Sequence, residues 1–374
     1  MHLVFRNAIA LGAATAVWLP LLHHFHRVDG VARERVTVSL EKRALDPKND
    51  VELMREVNPE WDWMSRTFTV LGLANRALGH ESEREAALVA MDRIIERAMD
   101  DARDEDRFLL PYARAKPFVD PSARSVFIDG ELLAMIAARL LVAPRPDWDS
   151  EANELAMSIE VAMRRSPTLS AESYPDECWT FCNTTSLMAL AMLDAAHGNH
   201  AHATLGSDWV LQAKSRLVDA RTGMLVSSFT RDGRVLDGPE GSTIWMSAAN
   251  LLFVDDTFAR DQYGRARREL GATTLGFGWA REWPRSAEGH MDVDSGAIIP
   301  LLDASAGSSG LAVLGASAFG DEAFRDALLS SLELAAMPRD DASGGRRYLA
   351  SNRVGDAVLF DALSFGPLLA KVKP

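Results

Sequence analysis

The strongest constraint on this fold is a helix–tight turn–helix pattern that returns about every 60 residues. Ala77-Leu78-Gly79-His80-Glu81, Ala196-His197-Gly198-Asn199-His200 and Ala318-Phe319-Gly320-Asp321-Glu322 follow one scheme. An apolar periodic run meets a glycine, a polar or acidic residue follows, and a second amphipathic run begins. Glycine just past a helix end takes the left-handed closing position, and the polar residue starts the next helix. Hairpins at Pro144 to Ser150 and Val254 to Thr257 bring the turns to positions near 79, 146, 198, 255 and 320. Within each pair one helix is almost wholly small or apolar, as in Leu132 to Leu141 and Thr185 to Ala195, and its partner is charged, as in Glu81 to Asp101. A helix apolar on every side is buried on every side, and such pairs build a core only by stacking. The pattern predicts an all-α toroid of paired helices, an (α/α)6 barrel, with the apolar helices inside. Six pairs at that spacing need about 350 of the 374 residues, so one domain over 45–374 accounts for the chain. The loop from Leu225 to Val235 alternates around Asp232-Gly233 and reads as a small β-hairpin.

The first 30 residues differ. Arg6 precedes an apolar stretch from Ala8 to Leu22, followed by His23, His24, His26 and Arg27. Extended back to Leu3 the stretch is just long enough to span a bilayer, so residues 3–22 are expected to be an export signal or membrane anchor. That predicts a periplasmic, secreted or membrane-anchored protein. The histidines lack acidic or cysteine companions and read as a polar flank rather than a metal site. A net charge of −13 argues against a nucleic-acid partner, whose phosphates need clustered Lys and Arg. Two cysteines make no disulfide framework. No phosphate-binding loop, dinucleotide fingerprint, zinc motif or nucleophile elbow is present, so no cofactor and no metal is expected.

Chemistry-bearing residues concentrate in the connections between pairs, which are long and rich in Pro, Gly, Trp and Asp. These loops should emerge together at the N-terminal ends of the inner helices, where backbone N–H groups favour polarised oxygens. The densest cluster is Ser173-Tyr174-Pro175-Asp176-Glu177-Cys178-Trp179-Thr180-Phe181-Cys182-Asn183. Asp176 either caps the following helix or handles a proton. Cys178 reads as a small buried side chain, whereas Cys182 near a helix N-terminus has a stabilised thiolate. Glu131 opens the apolar run Leu132 to Leu141, where burial should raise its pKa and make it a general acid; a cap or a salt bridge to Arg124 is the plainer role. Asp62 between Trp61 and Trp63, Glu240, and Asp292 with Asp294 hold equivalent loop positions. Carboxylates flanked by tryptophans at a barrel mouth would suit a carbohydrate-active hydrolase or epimerase.

From Tyr174-Pro175-Asp176 through Cys182-Asn183 the chain resembles the linalool dehydratase/isomerase family. The similarity runs on through Asp194, His197-Gly198, Leu217-Val218-Asp219, Met224 to Phe229, Ser309-Gly310-Leu311 and Arg347-Tyr348 to Asp361. The resemblance implies an (α/α)6 barrel, cofactor-independent hydration, dehydration or isomerisation of a small apolar alcohol or alkene, an export signal and a homo-oligomeric ring. Cys182 stands at the family's second catalytic cysteine, Ser173 where the first would be, Glu131 where a histidine would be and Phe127 where a methionine would be. Catalysis would then rest on Glu131, Asp176 and Cys182. Ser173, Tyr174, Phe127, Trp179, Phe181, Asp62, Glu240, Trp245 and Asp294 would bind the small-molecule substrate, and Phe127, Trp179, Phe181 and Trp245 would exclude water. The departures from the family's pattern also leave a catalytically degenerate scaffold as an alternative.

Overall fold

The computed structural model describes every residue except 1, 49–53, 105–107, 112–115, 288–295, 297, 343 and 374. In chain order its helices are α1 (His2–Phe25), α2 (Gly30–Leu45), α3 (Pro59–Gly79), α4 (Arg84–Asp101), α5 (Val126–Val142), α6 (Asp149–Arg164), α7 (Thr180–His197), α8 (Ala203–Arg216), α9 (Gly241–Leu251), α10 (Asp256–Glu269), α11 (Ala306–Ala318), α12 (Glu322–Ala335), α13 (Arg353–Ser364) and α14 (Pro367–Val372). The odd-numbered helices α3 to α13 form the inner ring. Each packs on the next, and α13 returns to α3. The barrel is the (α/α)6 toroid that the 60-residue spacing predicts.

The inner helices are buried nearly along their whole length: in α5 every residue from Val126 to Leu140 is buried. The outer helices bury one stripe only, as in α8, where Leu205, Trp209 and Ala213 recur every four residues. Gly198 and Gly320 close α7 and α11 with φ of 65° and 68°, a backbone region open to glycine without strain. The first turn differs: Gly79 is still helical, and an extended His80 closes α3 by donating its N–H to Arg76 at 2.8 Å. The ring's sixth outer helix is α2, packed on α13, α3 and α4, so the barrel begins near residue 30 rather than 45. Asp29 caps it, accepting from the Ala32 N–H at 2.8 Å.

The expected hairpin is present as β2 (Ser228–Phe229) and β3 (Val235–Asp237), and β1 (Cys178–Trp179) joins it antiparallel with Cys178 opposite Phe229. Three further hairpins connect later helices: β4 (Gly271–Thr274) with β5 (Phe277–Ala280), β6 (Ile298–Ile299) with β7 (Ala304–Ser305), and β8 (Pro338–Asp340) with β9 (Arg346–Tyr348). Strands this short carry little periodic pattern, which is why the helix-dominated reading misses them.

Helices α5 and α7 approach at Gly130. A Cβ there would run into the Ser186 hydroxyl and sit 3.2 Å from Ser186 Cβ. Gly130→Ala is therefore expected to cost about 1–3 kcal/mol in denaturant unfolding, with partial recovery in Gly130→Ala/Ser186→Ala. An unchanged midpoint in the single variant would show that the two helices separate without penalty.

Candidate active site

Glu131 lies within the second turn of α5, with Phe127 one turn before it on the same face. Its side chain is 1% exposed. Thr67 of α3 donates to Oε2 at 2.8 Å, whereas Oε1 accepts no hydrogen bond among the described residues. Burial pushes its pKa up to about 8; the Thr67 donor works against the rise and the nearby charge of Glu60 adds to it. The carboxyl is thus held protonated near neutrality, with Oε1 buried as well. Arg124, the salt-bridge partner considered from the sequence, pairs with Asp129 instead at 3.2 Å.

Glu60 stands in the first turn of α3, seven residues before Thr67 and therefore on the same face. Tyr174 donates its hydroxyl to Glu60 Oε1 at 2.6 Å, and its ring centroid is 6.5 Å from that of Phe127. Cys182 occupies the first turn of α7, 4% exposed. Burial raises its thiol pKa well above the ordinary value; the Ser173 hydroxyl opposes the rise, and the charges of Glu131 and Glu60 add to it. The helix N-terminus does not win here, so the expected thiolate is a neutral thiol. Ser173 is fully buried and also accepts the Trp179 N–H at 3.2 Å. Four elements therefore converge on one solvent-excluded spot: the starts of α3, α5 and α7, and the 173–179 loop.

Not all of the other expected site residues reach this spot. Asp176 is exposed at the tip of the turn, with φ 57°; its N–H donates to Glu172 and Oδ1 accepts from the Arg231 N–H at 3.4 Å. It does not cap α7, whose N-cap is Trp179. Asp62 is buried on the opposite face of α3 from Glu60, accepting from Arg55 and Arg66 at 3.1 Å each. Burial raises its pKa while the two arginines pull it down. Trp245 is buried against Tyr263 and Phe324 of the outer layer and donates to Ser308 at 3.1 Å. Glu240 is half-buried at the start of α9, its N–H on Ser227. Trp179 donates to Glu177 at 2.6 Å, and Phe181 is buried in the first turn of α7. Cys178 is buried, with its thiol on the Ser170 carbonyl at 3.7 Å. Asp292 and Asp294 lie outside the described residues.

A family model described as linalool dehydratase/isomerase matches residues 129–354, more than half of the chain. The chain belongs to the linalool dehydratase/isomerase family. The match takes in Glu131, the 173–179 loop and Cys182, but not Glu60 or Thr67. None of the curated proteins matches the chain. Among solved structures it is similar to the GH76A alpha-1,6-mannanase from Salegentibacter sp. HEL1_6, at 11% identity and a TM-score of 0.52, over 88% of this chain and 98% of that one. An inactive variant of the same mannanase in complex with alpha-1,6-mannotetrose matches equally, at 11% identity and 0.52, over 89% and 98%. At that identity the likeness shows a shared barrel and nothing of the reaction.

Within this linalool dehydratase/isomerase family member, Glu60 is the residue that sequence reasoning missed. An acid in a first helical turn is ordinary dipole compensation, so it carries no signal of its own. The Tyr174 contact, across 114 residues of sequence, marks it, as does its charge beside Glu131. Tyr174→Phe removes that donor from a partly buried carboxylate. The expected loss is about 1–3 kcal/mol of stability, read as a lower thermal midpoint. An unshifted midpoint would show that the hydroxyl contributes nothing to holding Glu60.

Proposed function

We propose that the protein is a cofactor-independent lyase or isomerase that moves water or a double bond in a small, largely apolar alcohol or alkene. The observation that carries this is Glu131: buried, protonated near neutrality, and with an oxygen that accepts no hydrogen bond among the described residues. In the dehydration direction Glu131 donates its proton to the substrate hydroxyl, the C–O bond breaks and water leaves. Glu60, oriented by Tyr174, removes a proton from the adjacent carbon, and the C–H electron pair becomes the new C=C bond. The departing water returns the proton from Glu60 to Glu131 and resets the site. Cys182 stays a neutral thiol, contributing a weak donor and a polarisable wall to a cationic transition state. Phe127 and Tyr174 exclude bulk water. Asp176, exposed and held by Arg231, has no place in this scheme.

The test is turnover of terpene alcohols and related allylic alcohols by the purified protein, with an oligosaccharide panel run beside it. A second reading, a carbohydrate-active barrel, rests on Glu60 and Glu131 sharing one site, since glycoside hydrolysis needs two carboxyls. Glycan cleavage without alcohol turnover would favour it.

The helix Leu3–Phe25 is long and apolar enough to cross a membrane, and none of it is buried by the rest of the chain. We infer that it acts as an export signal or anchor, placing the barrel outside the cytoplasm or on a membrane surface. Flotation of the full chain with vesicles tests the anchor.

A further inference from the structure

The foot of α1 rests on a particular wall of the barrel. Gly276, at φ 82° in the β4–β5 turn, leaves room for the His23 ring against its backbone, where a Cβ would collide with it. The His26 ring centroid is 6.3 Å from that of Phe277. Beside this foot, large aliphatic side chains point into solvent: Leu275 is 41% exposed, Ile299 50%, Leu302 47%, and Leu301 fully so. Leu275 is at the tip of the β4–β5 hairpin, and the other three belong to the β6–β7 hairpin. The Trp279 indole ties the two hairpins together by donating to the Leu302 carbonyl at 2.9 Å. Exposed leucines on adjacent hairpin tips are costly in water unless something covers them. These four side chains stay exposed with the foot of α1 in place beside them.

We propose that this wall lies on a lipid bilayer, with Leu275, Ile299, Leu301 and Leu302 seated in the headgroup region beside the point where α1 enters it. The proposal rests on reading α1 as an anchor. At 1.5 Å per residue the 23-residue apolar helix measures about 35 Å, enough to cross a hydrocarbon core of about 30 Å. His23, His24, His26 and Arg27 then fall at the interface, where polar and cationic side chains meet headgroups. A helix anchored there holds the neighbouring hairpin tips within reach of the same surface, and shallow burial of a few aliphatic side chains adds to the binding.

The test uses the full chain in phosphatidylcholine vesicles, with an environment-sensitive bimane label on Leu301→Cys or, as control, on Met157→Cys. Met157 is 63% exposed on α6, which belongs to the helix pair across the ring. The buried Cys178 and Cys182 leave the unsubstituted chain as the labelling background. Lipids carrying a nitroxide at shallow depth should quench the Leu301 label at least about threefold more than the Met157 label. Failure of the chain to float with vesicles overturns the proposal together with the anchor. Flotation with equal, weak quenching at both positions overturns the membrane face and leaves the anchor standing. A Leu301 label that is shielded as protein concentration rises, without lipid quenching, assigns the wall to a second copy of the chain and also overturns it.

Discussion

Glu131→Gln is expected to lower kcat by about 10²–10⁴-fold on any substrate the protein turns over, with the fold intact. The amide keeps the shape and can still take the Thr67 hydrogen bond, but it has no acidic proton to give. The parent enzyme should also lose activity as pH rises through about 8, where Glu131 ionises, and the residual rate of the variant should lack that limb. Stability moves with the same group. The folded-state pKa is raised above the ordinary 4.5, so the folded chain binds the extra proton between about 4.5 and 8. Stability is fully present below the unfolded pKa and falls as pH climbs through that window. Glu131→Gln should flatten this fall and gain relative stability in the alkaline range. Unchanged turnover, or a parent profile with no descending limb near 8, would remove Glu131 as the acid.

Arg66→Ala carries the largest expected effect on stability, about 3–5 kcal/mol in denaturant unfolding. Its side chain is 1% exposed, donating to Asp62 at 3.1 Å and to Asp101 at 2.9 Å. The guanidinium also lies over the rings of Trp63 and Phe108, at 5.6 and 5.3 Å. Removing it leaves two carboxylates, one of them wholly buried, with less compensating charge and opens space between the rings. Turnover per folded molecule should hold, because this network faces α4 and not Glu131. A large loss of kcat without loss of stability would instead bring Asp62 into the site, as the sequence first suggested.

Glu131 and Asp176 show why the burial of one acid is legible in sequence and the exposure of the other is not. Glu131 precedes Leu132 to Leu141, apolar except for Arg139, on one predicted inner helix, and an acid tied to such a run is carried inside with it. Asp176 lies in a loop, where proximity along the chain says little about direction; its left-handed turn points it at Arg231 and solvent. The neutral thiol of Cys182 is not legible in sequence for a related reason. A helix N-terminus is visible in sequence, but the burial that outweighs it, and the charges of Glu131 and Glu60 that add to it, belong to the folded chain.

The sequence by itself determined the toroid: tight helix hairpins at a regular spacing, alternating apolar and charged helices, and an apolar N-terminal stretch are local patterns with local causes. It also marked Glu131, Ser173, Tyr174 and Cys182 as neighbours of the mouth. Only the tertiary structure decided that α2 closes the outer ring, that Asp62 and Trp245 pack away from the centre, and that Glu60 joins Tyr174 beside Glu131. Periodicity reports which face of a helix is apolar, whereas a site is set by which faces meet, and burial from several elements at once sets its proton affinities.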